Sequence, residues 1–304
     1  MLREIVALLY FLIRVTFAYL KAFYRLFVSP SKVPVRGRVV VITGSGSGLG
    51  RELALRFAAK GARLALWDIS VSGNKKTAEL IQSETPDAEI HLYTVDVTDI
   101  ELVKTSALRV RSEIGDVHML INNAGVLVGE SLLELRNDDI RRTIEINLLS
   151  VFWTLRAFLP GMLESNSGHI VTTCSAGGQN AMHRLTDYCA SKFGIFGLDE
   201  ALESELRDVY HKTGIKQTLI CPHFLDTGMI HSISARGIAM NKTDDAADYI
   251  FDGILRQKRY IYFPRIFSLA PTLKELLPHE GRLALLDFIQ TKIPSQSVNR
   301  PHYD

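Results

Sequence analysis

Three side chains that can move a proton to or from an alcohol lie close together in the sequence. Ser175 is followed thirteen residues later by Tyr188, and Lys192 comes four residues after the tyrosine. Residues four apart share one face of a helix, so we expect the lysine ammonium beside the phenol. A free tyrosine has a pKa of about 10, and a neighbouring cation lowers that pKa by stabilising the phenolate. The set predicts acid–base chemistry on an alcohol or ketone, with Ser175 hydrogen-bonded to the substrate oxygen.

The same spacing also occurs on ordinary helices, where the tyrosine is half-buried and the lysine is solvated. Interconversion of an alcohol and a carbonyl also needs a hydride carrier. The meaning of the Tyr188 to Lys192 spacing therefore depends on whether the sequence contains a site for such a carrier. The segment between residues 39 and 125 contains the elements of one.

A glycine-rich turn lies between a predicted strand and a predicted helix. The β-branched run from Val39 to Ile42 leads into the turn from Thr43 to Gly50, and a helical pattern of apolar residues follows from Leu53. Free backbone N–H groups and the helix dipole attract phosphate at such a turn, and glycines let the backbone approach a pyrophosphate. Its position between strand and helix favours a dinucleotide site. The residues expected to contact the cofactor here are Gly44, Ser47, Gly48, Leu49 and Gly50.

The second predicted strand, from Leu64 to Trp67, ends at Asp68. A carboxylate at this position can bind the ribose hydroxyls of NAD and repels the 2′-phosphate of NADP. The alternative is a helix cap or a loop carboxylate, which the location at a strand end makes less suitable. Because the glycine turn contains no Arg or Lys and Ile69 follows the aspartate, we predict NAD as the cofactor.

Strands and helices continue to alternate along the chain. A third strand is predicted from Ile90 to Val95, directly before Asp96 and Val97. The Asp96 carboxylate can accept a hydrogen bond from the adenine amino group. A fourth, from Val117 to Ile121, ends in the segment Asn122 to Gly125, and Tyr260 to Phe263 is the predicted last strand. This pattern predicts an α/β fold with a Rossmann-type, doubly wound parallel sheet of seven strands and ligands at the carboxyl ends of the strands.

Asn147 lies among apolar residues in a helix predicted around residues 140 to 159. A buried amide must find hydrogen-bond partners. The side chain is therefore either a hydrogen-bond hub in the core or part of a proton path.

The overall composition narrows the classes of partner. The chain has 35 basic and 33 acidic residues, a net charge of +2, so we expect no nucleic-acid partner. The cysteines, Cys174, Cys189 and Cys221, form no Cys-x-x-Cys pair and are read as buried thiols of a reducing compartment. The nine histidines show no ligand spacing, and we predict no metal site.

Residues 1–30 form a hydrophobic segment that we interpret as a membrane-anchoring helix. Its longest uncharged run, Ile5 to Ile13, has nine residues. A bilayer-spanning helix needs about 20. In a spanning helix Arg14 would lie near mid-membrane, at a cost of about 2.5–3.5 kcal/mol.

The basic residues of this segment suggest a helix that lies in the membrane interface. Arg3, Arg14, Lys21 and Arg25 are separated by 11, 7 and 4 residues, close to whole helical turns, so they form one narrow stripe. Such a helix suits the headgroup region. A bent or spanning anchor, with the following domain in the cytosol, and a soluble core helix remain alternatives. A cleaved signal peptide is disfavoured because no small-x-small site follows.

The motifs between about residues 37 and 263 together resemble the short-chain dehydrogenase/reductase superfamily. The quoted set is Thr43-Gly44-x-x-x-Gly48-x-Gly50, Asp96-Val97, Asn122-Asn123-Ala124-Gly125, Asn147, Ser175 and Tyr188-x-x-x-Lys192. The resemblance implies Tyr188 as acid/base, Lys192 as its electrostatic partner and ribose ligand, and Ser175 as substrate orienter. It also implies Asn147 as a relay through water. Further cofactor contacts implied are Asp96, Val97, Asn123, Ala124, Gly125, Pro222 and Thr227.

Within the superfamily, the anchor segment and the runs Leu66–Ile69, Gly168–Thr172 and Asp187–Phe193 resemble one membrane-bound branch. That branch contains retinol dehydrogenase 10, the epidermal retinol dehydrogenases and the lipid-droplet 17β-hydroxysteroid dehydrogenases. One departure is Pro222-His223, where the superfamily usually has Pro-Gly. We expect the added side chain to reshape the nicotinamide pocket or the lid.

The region beyond the sixth predicted strand is read as the substrate side. Residues 223–242 form a predicted substrate lid rich in apolar residues, with plain core packing as the alternative. The apolar residues are Phe224, Leu225, Met229, Ile230, Ile233, Ile238 and Met240. Residues 264–304 are predicted as a helical extension with two short amphipathic helices divided by Pro278–Gly281. These helices can close the substrate pocket, contact membrane or pack in a dimer.

Taken together, the sequence predicts a 37–263 catalytic domain that oxidises or reduces a lipophilic alcohol, retinol or a related retinoid, with NAD. The alternatives are a 17β-hydroxysteroid or a long-chain alcohol as substrate. The non-enzyme alternative is a lipid-droplet or membrane coat protein with a vestigial nucleotide fold. We predict a homodimer on the endoplasmic reticulum membrane or a lipid droplet, with the catalytic domain facing the cytosol.

Overall fold

A parallel sheet organises the larger of two units, which begins at Val35, while residues 1–34 form the other. The computed structural model describes residues 1–229, 236 and 239–293. Within these residues the sheet has seven strands in the order β3-β2-β1-β4-β5-β6-β7. They are β1 (Val39–Thr43), β2 (Arg63–Asp68), β3 (Ile90–Thr94), β4 (Val117–Asn122), β5 (Gly168–Thr173), β6 (Ile215–Pro222) and β7 (Tyr260–Phe263).

The central strands are apolar on both faces because helices cover both faces. Every residue of β1 is buried. One layer of the core is formed by the helices Gly48–Ala59, Val71–Glu84 and Thr243–Leu255, and the opposite layer by the helices Ile100–Glu113, Ser150–Ser165 and Thr186–Asp208. The helices of this unit are α2 (Gly48–Ala59), α3 (Val71–Glu84), α4 (Ile100–Glu113), α5 (Asn137–Ile144), α6 (Ser150–Ser165), α7 (Thr186–Asp208), α8 (Thr243–Leu255), α9 (Ala270–Leu276) and α10 (His279–Ile289). The predicted doubly wound α/β fold is confirmed.

The first unit consists mainly of helix α1 (Leu2–Phe27). Of the described helical stretches, two are long and apolar enough to cross a membrane. They are Leu2–Arg25, with no buried share, and Asn137–Ser165, of which 39% is buried inside the domain. The second stretch is thus also a core segment. On helix α1 the four basic residues fall within one narrow arc, as their spacing predicted.

Some predicted boundaries are wrong in detail. The helix predicted around residues 140–159 is present in the longer helical stretch Asn137–Ser165, but Glu145–Leu149 within it form a π-helical turn that was not predicted. The break between the C-terminal helices is shorter than predicted, because α10 begins at His279 directly after Pro278. Strand β3 ends at Thr94, one residue before the predicted end, whereas β4 includes Asn122. The lid residues Ile230, Ile233 and Ile238, and the end of the extension from residue 294, lie outside the described residues.

Candidate active site

A cavity of about 930 Å³ lies at the carboxyl ends of the parallel strands. Its wall contains almost all the residues predicted to bind cofactor or substrate. These are Gly44, Ser47, Gly48, Leu49, Asp68, Asp96, Val97, Asn123, Ala124, Gly125, Ser175, Tyr188, Lys192, Pro222 and Thr227. Two predicted residues, Gly50 and Asn147, are described but lie behind this wall.

The glycine turn after β1 is packed so closely that only glycine fits at two positions. Gly44 has φ +66°, and a β-carbon there would lie 2.9 Å from the Cα atom of Ala124. At Gly50 a β-carbon would lie 2.1 Å from the carbonyl oxygen of Gly44. Asn123 holds the same turn, because its amide nitrogen donates to the carbonyl oxygens of Thr43 (3.1 Å) and Gly44 (3.2 Å). Gly50 therefore shapes the phosphate cradle by allowing the helix to pack against the turn.

The Asp68 carboxylate stands at the end of β2 with its oxygens on the cavity side. It accepts from the backbone N–H of Gly46 at 2.7 Å and from that of Ser70 at 2.7 Å. The negative charge is thereby oriented at the place where the sequence predicted a ribose. Asp96, after β3, accepts from the N–H and the hydroxyl of Thr98 at 2.9 and 2.7 Å. These hydrogen bonds stabilise the turn that follows Asp96.

Arg51 is a residue of the site that sequence reasoning missed. Its guanidinium donates to the carbonyl oxygen of Gly46, and its Nε donates to Thr77 Oγ1 at 3.0 Å. The side chain therefore supports the glycine turn from helix α2 and joins it to helix α3. Its position directly after Gly50 was the available signal, but the sequence could not show which way the guanidinium points.

Tyr188, Lys192 and Ser175 come together because helix α7 begins at Thr186. Tyr188 is in the first turn and Lys192 follows one turn later, with its ammonium 5.7 Å from the centroid of the tyrosine ring. The ammonium donates to the carbonyl oxygen of Thr173 at 2.9 Å. Ser175 Oγ accepts from the backbone N–H of Gly177 at 3.0 Å. This bond orients the serine hydroxyl group in the cavity wall beside the tyrosine.

The expected lowering of the tyrosine pKa by the lysine is wrong for this arrangement. Burial is the largest effect, and it raises the pKa of Tyr188 above its usual value, while the hydrogen bond with Ser175 lowers it. Burial also lowers the pKa of Lys192, whose side chain is 3% exposed. The physical reason is that both groups are taken out of water, which disfavours the charged form of each.

Asn147 is held by the π-helical turn against the segment after β4. Its Oδ1 accepts from the N–H of Val126 (2.8 Å), and its Nδ2 donates to the carbonyl oxygen of Val126 (2.9 Å) and to Ser191 Oγ (3.1 Å). Ser191 Oγ in turn donates to the carbonyl oxygen of Tyr188 at 2.7 Å. This geometry is that of a hydrogen-bond hub linking the cavity floor to helix α7. The predicted role as a proton relay stays a prediction.

His223, at the departure from Pro-Gly, contributes its ring to the cavity wall. The ring stacks on Phe267 at a centroid distance of 4.0 Å and meets Phe224 edge-on at 4.5 Å. Burial lowers the pKa of His223 to about 4. The imidazole is thus neutral at physiological pH and serves as an aromatic part of the wall.

The wall beyond Tyr188 is mostly apolar, and most of it was not predicted. It is formed by loop residues from several segments: Val126, Leu127, Val128, Met182, Leu185, Phe224 and Met229. Charged residues at and around helix α5 border the cavity elsewhere, among them Arg136, Asp138, Asp139, Arg141, Arg142 and Glu145. Loop residues carry no periodic pattern, so the sequence held no signal for most of them.

The residues present fit a dinucleotide. The close-packed glycine turn, the N-terminus of helix α2 and the Asp68 carboxylate lie along one side of the cavity, in the order in which pyrophosphate and adenosine ribose follow each other. Among the described residues, no group of three or more His, Cys, Asp or Glu is placed to hold a metal ion. The three cysteines are buried free thiols.

Comparison with known proteins shows which family the chain belongs to. Residues 38–237 match the family model described as short chain dehydrogenase. Human retinol dehydrogenase 10 is 38% identical, over 91% of this chain and 89% of that protein. The bovine short-chain dehydrogenase/reductase family 16C member 6 is also 38% identical, over 92% of this chain and 89% of that protein.

Solved structures agree. A short-chain dehydrogenase/reductase from Burkholderia phymatum in complex with NAD superposes with a TM-score of 0.71 at 28% identity, covering 83% of this chain and 96% of that one. A metagenomic short-chain oxidoreductase in complex with NADP gives a TM-score of 0.63 at 26% identity, covering 75% and 96%. The chain therefore belongs to the short-chain dehydrogenase/reductase family and is an oxidoreductase of that family.

Proposed function

We propose that this protein is an NAD-dependent dehydrogenase that interconverts a lipophilic alcohol, retinol or a related retinoid, and its carbonyl. The observation that carries the proposal is one cavity with a glycine cradle at one end and an apolar wall at the other. Tyr188, Lys192 and Ser175 all lie in its lining. An alcohol carbon bound against that wall is within reach of both the tyrosine hydroxyl group and a cofactor.

NAD is favoured over NADP by the charge at the end of β2. The Asp68 carboxylate already accepts two backbone N–H groups, which keeps its charge in place. Vicinal ribose hydroxyls can donate to its remaining lone pairs, whereas a 2′-phosphate is repelled. The guanidinium of Arg51, which follows the glycine turn, donates to the carbonyl oxygen of Gly46 and to Thr77. Bound NAD supplies the hydride acceptor.

The proton steps are assigned to the residues of helix α7 and the loop after β5. Ser175 Oγ, oriented by the Gly177 N–H, donates to the substrate oxygen and so directs it towards the phenol. Tyr188 takes the hydroxyl proton of the alcohol, or returns it to the carbonyl oxygen. The Lys192 ammonium, near the tyrosine ring, stabilises the phenolate form that accepts the alcohol proton and that forms again when the phenol gives its proton to a carbonyl oxygen, and it can donate to a ribose hydroxyl. Asn147, through water, connects the site to solvent.

The apolar wall supports a substrate with few polar groups apart from the reacting hydroxyl. Met182 and Met229 are flexible side chains that adapt to the shape of an apolar ligand. A retinoid is placed first because curated relatives at 38% identity are named retinol dehydrogenase 10. A 17β-hydroxysteroid and a long-chain alcohol fit the same wall chemistry and are the alternatives.

Membrane association is part of the proposal. Helix α1 exposes large apolar residues along its length, such as Phe11, Phe17 and Phe23 at 59%, 68% and 62%. An amphipathic helix with a cationic stripe binds a lipid surface by burying this apolar area. We place the protein on the endoplasmic reticulum membrane or a lipid droplet, with the domain in the cytosol, as a homodimer. A lipophilic substrate can then enter from the lipid phase.

The test is turnover by the full-length protein in lipid vesicles. All-trans-retinol, estradiol and dodecan-1-ol are offered with NAD or NADP, and the reduced cofactor is followed by absorbance. We expect NADH formation to be greatest with retinol and NADPH formation to be much slower. A folded protein that binds NAD but oxidises none of the three alcohols would refute the proposal and favour the coat-protein alternative.

A further inference from the structure

The described part of the C-terminal extension, residues 264–293, returns to the substrate end of the cavity. It comprises a 3-10 helix (Arg265–Leu269), helices α9 and α10, and a short segment ending at Ile293. This extension contacts the loops that form the cavity wall at four separate points. Each contact involves a different loop residue.

The first contact fixes the loop that follows Ser175. Lys274, on helix α9, donates from its ammonium group to the carbonyl oxygen of Gln179 at 2.8 Å. The side chain of Gln179 is held by the hydroxyl group of Tyr262, which donates to its Oε1 at 2.7 Å. Gln179 directly follows the 3-10 helix Ala176–Gly178, so the extension is fastened to the residue next to this turn, four residues after Ser175.

The second contact fixes His223. The ring of Phe267, from the 3-10 helix of the extension, stacks on the imidazole at 4.0 Å with an interplanar angle of 20°. Because the imidazole lines the cavity, Phe267 determines where this part of the wall stands.

The third contact is made by Ile293, which is 3% exposed. Its side chain belongs to a buried cluster with Leu185, Cys189 and Phe224, against which Leu127, Met182 and Tyr188 also pack. Its backbone N–H donates to His183 Nε2 at 3.4 Å. Five members of this cluster line the cavity: Leu127, Met182, Leu185, Tyr188 and Phe224. Ile293 therefore stands directly behind the apolar wall.

The fourth contact reaches the lid at Arg236. The backbone N–H of Arg236 donates to the carbonyl oxygen of Ile289 at 2.8 Å. Its guanidinium lies 4.9 Å from the centroid of the Phe288 ring. The extension thus contacts described residues from three parts of the chain: the segment after β5, the segment after β6, and Arg236 in the predicted lid.

We propose that the C-terminal extension is the fixed outer wall of the substrate end and that Ile293 sets the length of apolar substrate the cavity accepts. Ile293 is a positioning residue, since it acts through the cavity-lining side chains of Leu185 and Phe224. Because the wall is close-packed, the cavity can become longer only where a side chain packed behind the wall is replaced by a smaller one. The inference rests on the proposed function for the lipophilic class of substrate.

The test uses the full-length protein with NAD bound and the substitutions Ile293→Ala and Ile293→Phe. Straight-chain alcohols from octan-1-ol to octadecan-1-ol displace the fluorescent fatty acid cis-parinaric acid, and a dissociation constant is measured for each. Leu283→Ala is the matched control, because Leu283 lies on helix α10 and is 48% exposed. Ile293→Val tests the same position with a smaller change, should the alanine variant fail to fold.

With Ile293→Ala we expect the longest alcohols to bind about tenfold more tightly relative to octan-1-ol, since each methylene that finds an apolar site contributes this order of discrimination. Ile293→Val gives a smaller shift in the same direction, and Ile293→Phe shifts the preference towards shorter alcohols. Leu283→Ala leaves the chain-length profile unchanged. Equal loss at every chain length, or an unchanged profile in all three variants, would overturn the inference.

The displacement assay, combined with the turnover assay of the proposed function, separates this inference from that function. If the wild-type protein binds the alcohols up to a limiting chain length but never reduces NAD, the proposed function is contradicted and the proposal about the C-terminal extension is not. If the wild-type protein oxidises retinol but the Ile293 variants keep the wild-type dependence of alcohol affinity on chain length, only the proposal about Ile293 is contradicted.

Discussion

The two ends of the cavity are built in different ways. At the dinucleotide end the decisive contacts are between backbones: a β-carbon at Gly50 would lie 2.1 Å from the carbonyl oxygen of Gly44. At the substrate end the decisive contacts involve side chains and join distant parts of the chain. Lys274 and Gln179 are 95 residues apart, and Ile293 and His183 are 110 apart. A backbone-built site demands glycine at set positions, whereas a side-chain-built wall accepts many residue types.

The largest effect on NAD affinity should come from filling the backbone contact at the dinucleotide end. In Gly50→Ala the new methyl group meets the Gly44 carbonyl and must push helix α2 from the glycine turn. We expect NAD affinity to fall by about a hundredfold or more, the order that a displacement of 1 Å costs at a positioned site. NAD binding is measured by calorimetry. Gly161→Ala is the control, because a β-carbon there has nothing within 4 Å; equal NAD affinity in both variants would contradict the backbone account.

The sheet beneath the substrate end carries a buried titratable group, His169 on β5. Its Nε2 lies 2.8 Å from Thr218 Oγ1 on β6, and burial lowers its pKa to about 4. Below pH about 6.5 the unfolded chain binds a proton that the fold does not bind until about pH 4. Stability from this group is therefore complete above pH 6.5 and is lost as the pH falls towards 4.

We expect the free energy of unfolding to fall by up to about 1.4 kcal/mol per pH unit in this window because of His169 alone. Urea unfolding at pH 7, 6 and 5 measures the slope. In His169→Gln the slope becomes shallower by this amount, since glutamine does not titrate. If the unfolding free energies of the wild type and His169→Gln depend on pH with the same slope, His169 has the same pKa in the folded and unfolded states, which contradicts the prediction.

The proposed preference for NAD rests on the Asp68 carboxylate at the dinucleotide end. Asp68→Asn keeps the size and removes the charge that repels a 2′-phosphate. We expect the preference for NAD over NADP to fall by about tenfold, the value of one or two charge-assisted hydrogen bonds. Dissociation constants for both cofactors measure the ratio. If the ratio is unchanged, selectivity comes from elsewhere in the cavity.

A smaller effect, confined to the substrate end, is expected for Phe267→Leu. The leucine keeps apolar contact with His223 but loses the stacked ring, so the imidazole is held less tightly. We expect the KM for retinol to rise by about threefold, less than 1 kcal/mol, with NAD affinity unchanged. Steady-state kinetics at saturating NAD measure this. A fall in NAD affinity of the same size would show that the two ends are not separate.

This difference explains how far the sequence could predict the molecule. The strand β7 was predicted at its observed bounds, Tyr260–Phe263, and Tyr188 and Lys192 lie one turn apart on one helix, as their spacing predicted. These features depend on local patterns. The π-helical turn around Asn147 and the contacts of Ile293 depend on packing between distant segments, and no local pattern encodes them. The pKa of Tyr188 was mispredicted for the same reason, because burial is a property of the folded chain.

The central claim is that Tyr188 exchanges the proton of a substrate bound beside NAD. The most direct measurement is single-turnover NADH formation from retinol by Tyr188→Phe, with NAD binding measured on the same sample. The phenylalanine keeps the ring and removes the hydroxyl group. We predict a rate reduced by about a thousandfold, within the range for loss of a general acid–base group, with NAD affinity close to that of the wild type. A variant that forms NADH at the wild-type rate would contradict the account.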